Sequence, residues 1–137
     1  MKLKPRLDKL RKLAAHLRTV PPENFDFGTV WCGTVGCAMG HAVSVFPEEL
    51  KLYQIGSSSS FEVEMRDESA CGYEDAAEVL FNLEWQDAND LFTPGKANHI
   101  HPNLPELPNY ASATQVADLL EQFCQLVESG KLEQYEI

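Results

Sequence analysis

No run of apolar residues in this 137-residue sequence approaches the ~18 that a membrane-spanning helix needs. The opening stretch "MKLKPRLDKLRKLAAHLRTV" also lacks the unbroken apolar core of a secretory signal, because a charge interrupts it every few positions. The expectation is a soluble, cytoplasmic protein with no membrane partner. Cysteine is sparse: Cys32, Cys37, Cys71 and Cys124 are the only four. In the cytoplasm these should be reduced thiols rather than a disulfide framework. Basic residues are outnumbered, 11 Lys and Arg against 21 Asp and Glu, for a formal net charge of −10. The imbalance is uneven. Residues 1–18 hold seven Lys or Arg against one Asp, leaving +6 there and −16 over residues 19–137. An acidic body repels phosphate backbones and anionic lipid, which argues against a nucleic-acid partner. Internal repeats and dividing linkers are absent too, so residues 1–137 are expected to form a single globular domain.

What is present is mostly helical periodicity. Leu3, Leu7, Leu10, Leu13 and Leu17 recur at spacings of three and four, the stripe of an amphipathic helix within residues 1–20 that "VPP" ends. Its leucines should pack on the core, with Lys and Arg turned to water or to the acidic body. "FDFGTVWC" at 25–32 reads as a short extended segment. A helix is expected from about Thr34 or Val35 to Phe46, and "PEELKLY" at 47–53 as one further helical turn opened by proline. In "FEVEMR", Phe61, Val63 and Met65 alternate with charged residues, a half-buried strand that must pair with 52–55 or 29–32.

Residues 73–92 give two helices, to about Leu83 and from about Trp85, with Ala77, Leu80, Leu83, Ala88, Leu91 and Phe92 on the apolar side. Residues 93–111 hold four prolines and little periodicity, a long loop of a kind uncommon beyond ~12–15 residues unless functional or poorly ordered. Ser112 and Gln115 fit a capping box. Val116, Leu119, Leu120, Phe123, Leu126 and Val127 share a face, and Gly130 is the stop. The expected fold is mainly α, one compact domain of about five helices with a small β-hairpin or short strands.

Chemistry could reside in "WCGTVGCAMGHAVSVF" at 31–46. Cys32, Cys37 and His41 are three zinc-type ligands in ten residues, with His99 or His101 as a fourth, but the second cysteine pair of a structural zinc site is missing. No metal or other cofactor is therefore expected. Alternatively Cys37, in a first helical turn capped by Thr34, could be a thiolate nucleophile with His41, His99 or His101 as base, making the chain a cysteine-dependent hydrolase. Papain-like enzymes place a glutamine shortly before that cysteine, and no Gln precedes Gln54 here. The structural reading accounts for more of the residues. Gly36, Gly40 and Ser44 recur every fourth position, the rest are small or apolar, and a free cysteine acts as a small buried hydrophobe. On that reading the helix is central, Gly40 faces another helix, the Cys37 thiol is hidden and His41 is a hydrogen-bonded core histidine.

Residues 76–92 resemble the helix-turn-helix of bacterial repressors in outline. Phe81-Asn82 stands where a turn glycine is usual, and the second helix carries Glu84, Asp87 and Asp90 with no Lys or Arg, so an ordinary helical corner is expected. Taken together, "FDFGTVWCGTVGCAMGHA", "AAEVLFNLEWQDANDLFTP" and the capped terminal helix resemble a family of small uncharacterised bacterial and phage proteins. The likeness spans roughly residues 7–130 and rests on the C-G-T-x-x-C-x-x-G-H-A segment. It implies a compact, mostly helical domain and no activity. The sequence thus points to a non-enzymatic accessory or interaction domain, with a protein partner or a second copy as what it binds.

Overall fold

Pro5 sets where the first helix can begin, because a proline pushes the residue before it out of helical geometry. In the computed structural model, which describes residues 2–29, 31–32, 35–56 and 60–137 and of which the Trp31, Cys32, Val35 and Ser60 side chains are not described, helix α1 runs Leu7–Leu17. It buries Leu10, Leu13, Ala14 and Leu17. Leu3 continues the stripe in sequence only: it lies outside the helix and forms a parallel bridge with Tyr135.

The strands are Trp31–Cys32 (β1), Val35–Gly36 (β2), Leu50–Gln54 (β3) and Ser60–Met65 (β4), in the antiparallel order β2-β1-β4-β3. β4 pairs on both sides, with β3 in the register Leu52↔Val63 and with β1 in the register Trp31↔Phe61. Both expected partners of the alternating strand are therefore used. The expected helical turn at 47–53 is corrected: residues 47–49 form a turn, and Leu50 to Gln54 are strand. An isolated helical turn gains almost no hydrogen bonds for the dihedrals it fixes, whereas pairing with β4 satisfies a whole row of backbone groups.

Helix α2, Ala38–Val45, starts later than expected. Thr34, the expected cap, lies outside the described residues. Val35 and Gly36 are strand, the Gly36 carbonyl accepts from the Asp26 amide at 3.0 Å, and Cys37 itself is the N-cap residue with extended backbone. The small-residue stripe is therefore split, with Gly36 in the sheet, Gly40 buried in α2 and Ser44 exposed. Only the first part of α2, Ala38 to Ala42, is buried continuously.

Helices α3 (Tyr73–Phe81) and α4 (Trp85–Phe92) meet at a corner whose turn is Asn82, in the left-handed region at φ 54°. Short polar residues tolerate that conformation better than bulkier ones. The segment 93–111 contains one 3-10 turn, Ala97–His99, and is anchored along its length by buried Ala97, Leu104, Leu107 and Ala111. Gly95, at φ 78°, donates its amide to the Leu107 carbonyl at 2.6 Å.

Helix α5, Ala113–Glu128, opens on the expected box: Ser112 Oγ accepts from the Gln115 amide, and Gln115 Oε1 accepts from the Ser112 amide at 2.8 Å. It runs antiparallel to α1, joined at one end by Arg11 to Glu128 at 2.6 Å and at the other by Arg18 to Asp118 at 2.8 Å. The basic face of α1 is thus turned largely onto the protein's own carboxylates. Among the described residues the core is one cluster fed by helices α1 to α5 together with β3 and β4, in a mainly α domain with a small antiparallel sheet. Among the described residues no helix is long and apolar enough to cross a membrane.

Candidate functional site

Cys37 stands where β2 hands over to α2, held by its amide to the Thr29 carbonyl at 2.6 Å. Its side chain is only 3% exposed. Burial, with a smaller contribution from the Glu62 carboxylate, pushes the thiol up to about 11. The amides of Gly40 and Met39 pull the other way, the helix-start effect a nucleophilic cysteine would exploit, and they lose to desolvation. The surroundings reinforce this: Tyr73 and Glu74 are also shifted up, each mainly by burial, with neighbouring acids adding to it and, at Tyr73, the hydrogen bond with the Thr93 hydroxyl opposing it. The environment of Cys37 is acidic and dry, the opposite of what stabilises a thiolate.

His41 lies one turn on. It is buried, and its Nε2 lies 2.8 Å from the Asn24 carbonyl, as expected for a core histidine. Burial holds it below the usual imidazole range. Phe25 stacks on the ring at 6.1 Å, and His16 sits 6.2 Å away from α1. Ser44 Oγ lies 3.3 Å from His16 Nε2 and donates to the His41 carbonyl at 2.8 Å. This serine and histidine pair at the α1 and α2 contact had no signal in the sequence, since the two residues are 28 apart.

The proposed bases on the long segment stand on other elements. His99 is exposed in the 3-10 turn, and His101 accepts from the Asn103 amide through Nδ1 at 3.0 Å. The Cys32 side chain, part of the proposed zinc set, lies outside the described residues. Among those described, no group of three or more His, Cys, Asp or Glu side chains is gathered as a metal site would require.

Sequence reasoning also missed where the polar groups of α4 point. Asp87 and Asp90 face inward, not toward a nucleic-acid groove. Asp87 accepts from Tyr135 and Gln134, and Asp90 from Gln86 and Asn89. At the sheet surface the exposed Cys71 thiol lies 3.0 Å from the Tyr53 hydroxyl. Exposed large apolar side chains include Val79 and Trp85 at the α3 and α4 corner and Tyr110, which is 89% exposed between two open clefts. An aromatic in the aperiodic "PNYASA" gives no pattern that sequence reasoning could use. No protein-family model matches the chain, and no curated protein or solved structure does either.

Proposed function

We propose that this chain is a non-enzymatic protein-interaction domain of the cytoplasm, with a protein as partner and no nucleic acid. The observation that carries the reading is the contrast between Cys37, 3% exposed and raised to about 11, and Tyr110, 89% exposed on an anchored turn. The thiol that stands at a helix start, where a nucleophile would be placed, is spent inside the fold, while a large aromatic is offered to solvent. Tyrosine is enriched at interaction hot spots because it brings much contact area at small entropic cost. The acidic body and the inward-facing Asp87 and Asp90 support the absence of a nucleic-acid role.

Two measurements test this. Site-mapped alkylation with iodoacetamide at neutral pH should label Cys71 in the native protein and Cys37 only after unfolding; faster labelling of Cys37 turns the reading to the cysteine hydrolase. A photo-crosslinking amino acid at position 110, introduced in cells of the native host, should yield a discrete protein adduct that the same probe at Ser129, exposed at the far end of α5, does not.

A further inference from the structure

The surface around Tyr110 has a shape and a charge that specify more than a generic partner. The aromatic ring is carried on a tight turn, with the Ala111 amide bonded to the Pro108 carbonyl at 3.0 Å, and Leu107 and Ala111 on either side of it in sequence are buried. The turn is therefore fixed before anything binds. On one side lies a cleft of about 420 Å³ lined by Phe25, Asp26 and Asn109, and on the other one of about 190 Å³ lined by Val20, Pro22 and Ala113. Phe25, Tyr110 and Ala111 belong to both, so the ring is a ridge between two neighbouring depressions.

The two clefts differ in chemistry. Asp26 Oδ1 accepts from the Gly28 amide at 2.9 Å and Oδ2 from the Thr29 hydroxyl at 3.0 Å. Both donors are neutral, so the carboxylate is positioned without its charge being cancelled. A Cβ built on Gly28 would lie 3.7 Å from the Asn109 side chain, so the Asp26 turn and the Tyr110 turn run close to one another. The second cleft is lined by Val20, Pro22 and Ala113 together with Ser112 and Thr114, with no charged side chain among its lining residues. Beyond the site, residues 19–137 carry −16 against +6 on residues 1–18, and Lys9, Arg11 and Arg18 of that basic segment are engaged by Glu49, Glu128 and Asp118.

We propose that this surface docks an extended, basic peptide segment of a partner protein, its backbone crossing Tyr110, a Lys or Arg side chain in the Asp26 cleft and an apolar side chain against Val20 and Pro22. The assignment rests on the interaction reading above and names the class of partner. Neighbouring pockets for successive side chains are how extended peptides are read, and charge complementarity between an acidic surface and a cationic segment selects the partner and speeds encounter. Asn109, exposed beside the ridge, offers both a donor and an acceptor to the peptide groups passing over it.

The test is an amide-resolved NMR titration of the full chain with capped alanine-based peptides carrying one Arg and one Leu separated by one, two or three residues, in low salt. The expected result is saturable shifts confined to residues 20–29 and 108–114 for at least one spacing. Affinity should fall at least tenfold for Tyr110→Ala, for Asp26→Asn and for a peptide with Glu in place of Arg, with thermal melts confirming that both variants fold. Absence of shifts at millimolar peptide, equal binding of the Glu peptide, or indifference to Tyr110→Ala overturns the proposal. If the peptides fail while the crosslinker at position 110 still captures a protein, the basic-peptide assignment falls and the interaction reading stands. If both fail, both fall.

Discussion

The hydroxyl of Tyr135 donates to Asp87 Oδ2 at 2.5 Å inside the protein and accepts from the Glu84 amide at 3.0 Å. Gln134 Nε2 adds a third link, to the same carboxylate oxygen, at 3.1 Å. A buried carboxylate is costly unless hydrogen-bonded, so the C-terminal segment completes the fold of α4, 48 residues earlier in the chain. The bridge from Leu3 to Tyr135 ties the N-terminal segment to the same place.

Tyr135→Phe should therefore destabilise by about 2–3 kcal/mol, because it strips a hydrogen bond from a buried carboxylate and leaves the Glu84 amide without its acceptor. The double variant with Asp87→Asn should lose less than the two single losses added together. Urea titrations of the four proteins check this, and simple additivity would show that the two groups are not coupled.

The position of Cys37 as the N-cap of α2 changes what serine does there. A hydroxyl buried among apolar groups ordinarily needs a partner, but at an N-cap it can accept from the first-turn amides, here those of Met39 and Gly40 that already face the thiol. Cys37→Ser should thus stay within about 1 kcal/mol of the parent. Gly40→Leu, adding four carbons at a buried position, should cost ~1–3 kcal/mol or more. Thermal melts decide, and a Gly40→Leu protein as stable as the parent would refute the central packing of this helix.

His41 gives a pH dependence with a definite sign. Burial lowers its folded-state value below the ordinary 6.5, so as pH falls through 6.5 the unfolded chain takes up the proton first and stability declines. Carboxylates held low, such as Glu128 by its hydrogen bonds from Arg11, add their loss further down, below the ordinary 4.5. Denaturant unfolding at pH 7 and pH 5.5 should show the first loss, and His41→Gln should flatten that window.

The segment 93–111 should behave as packed structure. Leu107→Ala should cost about 2–5 kcal/mol, the range for truncating a buried leucine, and should open the segment to limited proteolysis. Alanine at both His99 and His101 should leave stability and any partner binding unchanged, measured by melts and by crosslink yield at position 110.

Purified protein should hold no stoichiometric zinc by elemental analysis and keep its melting temperature in chelator. One zinc per chain would bring Cys32, Cys37 and His41 back as ligands.

Local signals were enough for the elements whose determinants are neighbours in sequence. The leucine stripe of α1 from Leu7 onward, the alternation of β4, the apolar sides of α3 and α4 and the Ser112 and Gln115 box appear where the periodicity places them, because each depends on spacings of two to four residues. Tertiary structure alone decided the rest. Leu50 to Gln54 became strand because β4 was there to pair with it, and Val35 and Gly36 left α2 for the sheet because β1 was there to pair with them. The sequence put Cys37 and His41 four residues apart, which suits a site as well as a core. The fold decided between dry and wet: it sealed the thiol beside Glu62, set the imidazole against the Asn24 carbonyl 17 residues away, and left Tyr110 in water. Solvation belongs to the packed molecule, since it depends on which distant segments cover a side chain, and no spacing along the chain encodes it.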